Sequence, residues 1–307
     1  MLITLETIKA EVVTNKTFET TIVSAFYIGP NKHGGTSKYL DWISNFMQFG
    51  FASIIYCDAN SRELLSSRWP ENDNRKYIEK PIEKFVTSAF DWQRDFSIDN
   101  EIAVGHSPHL YKIWGEKIFF TSEVALINPF KSNAFIWVDI GFFRNREMVQ
   151  LCKGFPNPNR FQLDRITFLQ IYPFANKEKA SLYPVDERFR NVTRVGASSF
   201  AGGKISLLRF RELYFSILLE AKRLGVFSGK DQNLQAFLIL RHPELFSTVA
   251  AIYTGVVDPW FSFGLIWSNK TQFLPRYVDQ SFDAVFINAM KKDEKPYQHF
   301  YKNLVFV

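Results

Sequence analysis

Phe135-Ile136-Trp137-Val138-Asp139 is the stretch that decides the fold. Four large apolar residues in a row, rich in aromatic and β-branched types, read as a buried strand, and it ends in a carboxylate. Two earlier runs repeat the pattern. Thr21-Ile22-Val23-Ser24-Ala25-Phe26-Tyr27 reads as a first strand, and Ser53-Ile54-Ile55-Tyr56-Cys57-Asp58 as a second that also ends in a carboxylate. Between these two lie the turn-rich Gly29-Pro30-Asn31-Lys32-His33-Gly34-Gly35 and a helix. That helix carries Tyr39, Trp42, Ile43, Phe46 and Met47 on one face and is closed by Gly50. Residues 60–100 read as short helices around Trp92, and Leu110, Ile113, Trp114, Lys117 and Ile118 keep helical spacing. Strands alternating with helices predict an α/β domain with a mostly parallel central sheet flanked by helices.

Downstream, residues 150–200 read as loop, punctuated by Pro156, Pro158, Pro173 and Pro184. Gly202-Gly203 precedes a helix over 206–224, with Leu207, Phe210, Tyr214, Ile217, Leu218, Ala221 and Leu224 on one face and Gly225 at its end. Another helix starts near Lys230-Asp231-Gln232 and stops before Pro243, and the chain from about 245 is expected to wrap the sheet. With no repeat or linker, one domain over 1–307 is expected, its first half about 20–150 and its second 151–307.

The 307 residues carry 37 basic and 31 acidic side chains, a net charge of +6. That excess suits an anionic ligand such as a nucleotide diphosphate, or an anionic membrane surface. The basic residues form only short clusters such as Lys291-Lys292 and Arg188-Phe189-Arg190, which argues against nucleic acid. Cys57 and Cys152 lack metal or redox spacing, so a reduced, cytoplasmic setting is expected. Met1 to Lys16 does not read as a signal peptide, and no run approaches the roughly 20 apolar residues of a spanning helix. Contact with a membrane-borne substrate would be peripheral. The sequence shows no Gly-x-Ser-x-Gly elbow, phosphate loop or Gly-x-Gly-x-x-Gly.

Ligands of open α/β sheets sit outside the carboxyl ends of the strands, where Asp58 and Asp139 stand. Each either caps a turn or meets a ribose hydroxyl, a base N–H or a divalent cation. His106 and His109 flank Pro108, which implies a turn rather than a metal pair. Lys117 lies on or beside the apolar face of its helix, where it either snorkels along packed surface or reaches an anionic ligand. Arg144 is either a surface residue or a bidentate partner for phosphate.

His106-Ser107-Pro108-His109-Leu110-Tyr111-Lys112-Ile113-Trp114-Gly115-Glu116-Lys117, then Asn128-Pro129-Phe130 and Phe135 through Arg144, resemble the HtrL/YibB family of bacterial surface-polysaccharide and lipopolysaccharide loci. The resemblance covers about residues 20–150, more loosely to 240. It implies a GT-A-like (Rossmann-like) glycosyltransferase moving a sugar from a nucleoside diphosphate donor, UDP-sugar favoured, to a glycan or glycolipid acceptor. The GT-A metal motif is Asp-any-Asp, whereas here Asp139-Ile140-Gly141 lacks the second carboxylate. Asp139 would therefore hold Mn²⁺ or Mg²⁺ together with the diphosphate and water, or the site would work without a metal. Ser24, Phe26, Tyr27 and Asp58 are expected around the nucleoside, with Phe26 or Tyr27 stacked on the base. Lys117, Asp139, Gly141 and Arg144 are expected along the diphosphate. Gly202 and Gly203 are expected as a loop beside the sugar and acceptor, and Asp231 with Gln232 as the catalytic step. A sugar nucleotidyltransferase and a non-catalytic glycan-binding protein derived from a transferase are the competing readings.

Overall fold

The computed structural model describes residues 16–29, 35–278 and 280. Residues 1–15, 30–34, 279 and 281–307 lie outside them, and with them most of the N-terminal segment, the centre of the loop after the first strand, and Lys291-Lys292. In chain order the elements are β1 (Thr20–Phe26), α1 (Thr36–Phe46), β2 (Ala52–Cys57), α2 (Ala59–Arg68), β3 (Arg75–Glu79), α3 (Gln93–Ile98), α4 (Pro108–Ile127), β4 (Ala134–Val138), α5 (Arg146–Leu151), β5 (Ile166–Gln170), β6 (Val195–Gly203), α6 (Lys204–Leu224), α7 (Asp231–Arg241), β7 (Phe246–Ala250), α8 (Phe263–Ile266) and β8 (Tyr277–Val278).

These strands form one sheet in the order β3-β2-β1-β4-β6-β5-β7-β8. Strands β3, β2, β1 and β4 run parallel, as do β5 and β7. β6 is antiparallel to both β4 and β5, and β8 to β7. Successive residues of β4 point to opposite faces. Phe135 and Trp137 join Tyr56, Phe120, Phe200 and Phe210 in one apolar layer, and Ile136 and Val138 join Ile22, Ile43, Phe46 and Trp267 in the other. Both faces are covered, which is why the strands read as continuous apolar runs rather than alternating ones.

α4 runs for 20 residues because its entry is well specified: the Ser107 hydroxyl accepts from the Leu110 amide and Pro108 occupies the first turn. α6 stops at Gly225, which takes a left-handed conformation with φ 68°.

From β1 the sheet extends to β2 and β3 on one side and to β4 on the other. The strand order reverses there, so the carboxyl edge between β1 and β4 is where an open α/β sheet places its ligand crevice.

Several sequence expectations need correction. Residues 150–200 are not simply loop, because they contain β5 and most of β6. Val195-Gly196-Ala197-Ser198-Ser199 is too small and polar to register as an apolar run. The C-terminal wrap is in part sheet, since β7 lies between β5 and β8. Gly50 does not close α1, which ends at Phe46 with Met47 as its cap. Leu224 is 43 % exposed at the end of α6 rather than part of its buried face.

Candidate active site

Asp139 is the first residue beyond β4, and its backbone is fixed by the ladder because its amide donates to the Ser198 carbonyl at 2.8 Å. One side-chain oxygen accepts from the Trp137 indole N–H at 2.8 Å. The same oxygen lies 3.2 Å from the Lys117 ammonium. Lys117 rises from the middle of α4, is 4 % exposed, and donates to the Ala197 carbonyl of β6 at 2.9 Å. Its third neighbour is Asp231, at 3.5 Å, in the first turn of α7. One buried ammonium thus joins two carboxylates contributed by different parts of the sequence.

Burial alone would lower the Lys117 pKa, but Asp139 and then Asp231 outweigh it and the net shift is upward. Asp231 is 5 % exposed. Burial pushes its carboxyl up to about 6, Lys117 pulls it down and Asp139 pushes it up again. Both shifts are upward, and one ammonium set between two carboxylates contributes to each. A single ammonium neutralises one negative charge, and the second falls on the more deeply buried carboxylate. A proton on Asp231 is the cheapest relief.

Arg144 stands beside this triad. Its guanidinium lies 3.7 Å from the Trp42 ring centroid and 4.7 Å from that of Phe261. Burial between the rings lowers its pKa, with Tyr39, Asp139 and Asp258 opposing. Arginine remains charged at any physiological pH, so a fixed cation faces the Asp139 edge. The Tyr39 hydroxyl is pushed up to about 12, chiefly by burial. Gly141 is packed rather than open: an added Cβ would sit 2.9 Å from the Trp42 ring. Its part is to let Trp42 close on the turn that carries Arg144.

The expected nucleoside residues divide. The Ser24 hydroxyl donates to the Val138 carbonyl at 2.6 Å and is fully buried, so it ties β1 to β4 instead of facing the crevice. Phe26, 7 % exposed, belongs to the core. Tyr27 is half-buried, with its hydroxyl donating to the Lys80 carbonyl at 2.9 Å and its ring set edge-on to Phe85. Asp58 caps α2 by accepting from the Ser61 amide at 2.8 Å.

Gly202 and Gly203 are not a loop beside Asp139. They close β6, paired with Phe135 and Ala134 at the opening end of β4. At about 3.3 Å per residue, that is roughly 13–17 Å along the strand from Asp139. A Cβ on Gly203 would meet the Leu163 carbonyl oxygen at 2.5 Å, so close backbone packing requires the glycine. Gln232 donates to the Thr193 hydroxyl at 3.2 Å.

A second polar group adjoins the triad through the chain. Asp99, Glu101 and His106 bring their ligand atoms within 4.8 Å of one another and could hold a metal ion. Asp99 accepts from the Tyr111 hydroxyl at 2.6 Å and the Glu101 amide at 2.8 Å, and pairs with His106 Nδ1 at 2.7 Å. Burial opposes these contacts, but together they hold the Asp99 carboxyl below its ordinary range. Glu101 is paired with Lys230. The sequence did not single out Asp99, Glu101 or Lys230. The signal it offers is His106, with carboxylates five and seven residues earlier.

The chain matches no protein-family model and no curated protein. No helix among the described residues is long and apolar enough to cross a membrane.

Proposed function

We propose that the chain is a glycosyltransferase that moves a sugar from a nucleoside diphosphate donor, UDP-sugar favoured, to a glycan or glycolipid acceptor. The observation that carries the reading is the Lys117–Asp139–Asp231 triad at the carboxyl edge of the switch-point strand. The HtrL/YibB resemblance supports it, and peripheral membrane contact would give access to a lipid-linked acceptor.

Asp231 is the candidate base. A carboxyl near pH 6 is partly protonated close to neutrality, the range in which a general base works best. The acceptor oxygen bonds to the anomeric carbon, the carbon–oxygen bond to the diphosphate breaks with its electron pair leaving on the diphosphate, and the acceptor proton passes to Asp231. Arg144 supplies positive charge for the departing diphosphate, and Lys117 keeps Asp139 and Asp231 in place. The metal that the resemblance suggests at Asp139 does not fit well. One Asp139 oxygen already has an indole N–H and an ammonium on it, and that ammonium, 3.5 Å from Asp231, sits where a cation shared by the two carboxylates would go. We therefore assign the charge compensation at this edge to Lys117 and Arg144.

The test is UDP-sugar turnover by wild type and Asp231→Asn, with melting temperature as the folding control. A positioned general base contributes about 10²–10⁴-fold, so a fall of about a hundredfold or more is expected. A normally melting variant within about threefold of wild type would remove Asp231 from the active site. Pyrophosphate release from a nucleoside triphosphate would favour a nucleotidyltransferase, and glycan binding without donor consumption a binding protein.

A further inference from the structure

Beside the triad lies a cleft of about 460 Å³, within the range of small-molecule sites. Its wall includes Tyr172, Arg190, Asn191, Thr193, Arg194 and Lys230. Its acidic members are already satisfied. Asp99 is held by Tyr111, His106 and the Glu101 amide, and Glu101 by Lys230. The Arg194 guanidinium is paired with Glu178 at 2.6 Å. Arg190 differs: its guanidinium donates to the Ile98 carbonyl, and among the described residues no carboxylate forms an ion pair with it. The cleft therefore presents a guanidinium that no described carboxylate pairs with, next to amide and hydroxyl groups and a half-buried tyrosine ring.

Two contacts tie this cleft to the triad. Lys230 and Asp231 are consecutive, one reaching Glu101 in the cleft and the other Lys117 at the sheet edge. Gln232 reaches Thr193 in the cleft wall. We propose that the cleft is the acceptor subsite and that it takes a sugar unit carrying a carboxylate or phosphate, its anionic group on Arg190. This rests on Asp231 being the base of a sugar transfer. A guanidinium meets either anion bidentately, hydroxyl and amide groups bond sugar hydroxyls, and a tyrosine ring covers an apolar sugar face.

The experiment is ligand-observed NMR of the full chain with three probes: methyl glucuronide, glucose 6-phosphate and methyl glucoside. At least one anionic sugar should bind at least tenfold tighter than the neutral one, and Arg190→Gln should abolish that preference while UDP affinity is unchanged. Asn191→Asp, at an exposed position, sets a negative charge in the wall and should weaken the anionic sugars even if Arg190→Gln fails to fold. No anionic preference in wild type overturns the proposal. So does a preference that survives both substitutions, or inorganic phosphate binding as tightly as glucose 6-phosphate. UDP binding is read separately: its absence would sink the donor reading, whereas the sugar preference judges the cleft.

Discussion

The ammonium of Lys117 stands 3.2 Å from the Asp139 carboxylate, within the protein's core and with only 4 % of the lysine exposed. A charge so placed must be compensated, and the compensation is shared unequally between Asp139 and Asp231. Most of the measurable behaviour of the site follows from that inequality.

Asp231 should make both stability and activity depend on pH. Its folded pKa of about 6 lies above the ordinary aspartate value of about 3.9. Between these values the folded chain binds the proton and the unfolded chain does not, so stability is greatest below about pH 4 and falls as pH rises through about 6. Asp231→Asn should flatten this part of the melting-temperature profile. Turnover by wild type should rise over the same interval as the base is freed. A wild-type melting temperature that increases from pH 4 to 6 by the same amount in Asp231→Asn would show that other groups set the profile.

Replacing Lys117 should be severe. Lys117→Met leaves two carboxylates facing each other with no cation between them, and removing one partner of a buried pair costs about 3–5 kcal/mol. A fall in melting temperature of roughly 6 °C or more is expected, partly recovered in Lys117→Met/Asp231→Asn. A single variant melting within about 2 °C of wild type would mean that the lysine is not what neutralises the pair.

Donor turnover should survive chelation. With Lys117 between the carboxylates and Arg144 alongside, EDTA treatment should leave UDP-sugar turnover within about twofold, less than 0.5 kcal/mol. Loss of activity that Mn²⁺ restores would return a metal to the mechanism, and His106→Ala would then show whether the Asp99–Glu101–His106 group holds it.

Gly203→Val should act on folding. The new Cβ would overlap the Leu163 carbonyl oxygen, and overpacking of this kind costs about 1–3 kcal/mol or more. An early melt is expected, with donor affinity unchanged in the fraction that remains folded. A variant that melts like wild type but loses transfer would restore Gly203 to the acceptor side.

The fold was most legible where the chain is most apolar. Strands buried on both faces announced themselves around Ile54 and Trp137, and Ser107-Pro108 and Gly225 marked helix ends through local backbone chemistry. β6 escaped because its small residues are chosen to admit neighbours, Gly203 under Leu163 among them, and small residues carry no period. At the site, Asp139, Lys117, Arg144 and Asp231 were each legible as chemistry, and the structure brings them together. Their pairing was not legible, because it depends on β6 and α7 meeting β4 in space. Gly202 and Gly203 misled for a related reason: a glycine pair looks the same in sequence whether backbone approaches a ligand or another strand. Ser24 and Phe26 were placed on the right strand, but their individual side chains are spent on holding it.

The first turn of α7 joins two compartments. The Cα atoms of Lys230 and Asp231 are held about 3.8 Å apart by the peptide bond, yet one side chain grips Glu101 in the cleft and the other grips Lys117 at the sheet edge. The turn is a yoke. Whatever holds Lys230 against Glu101 therefore also fixes where the Asp231 backbone stands relative to Lys117.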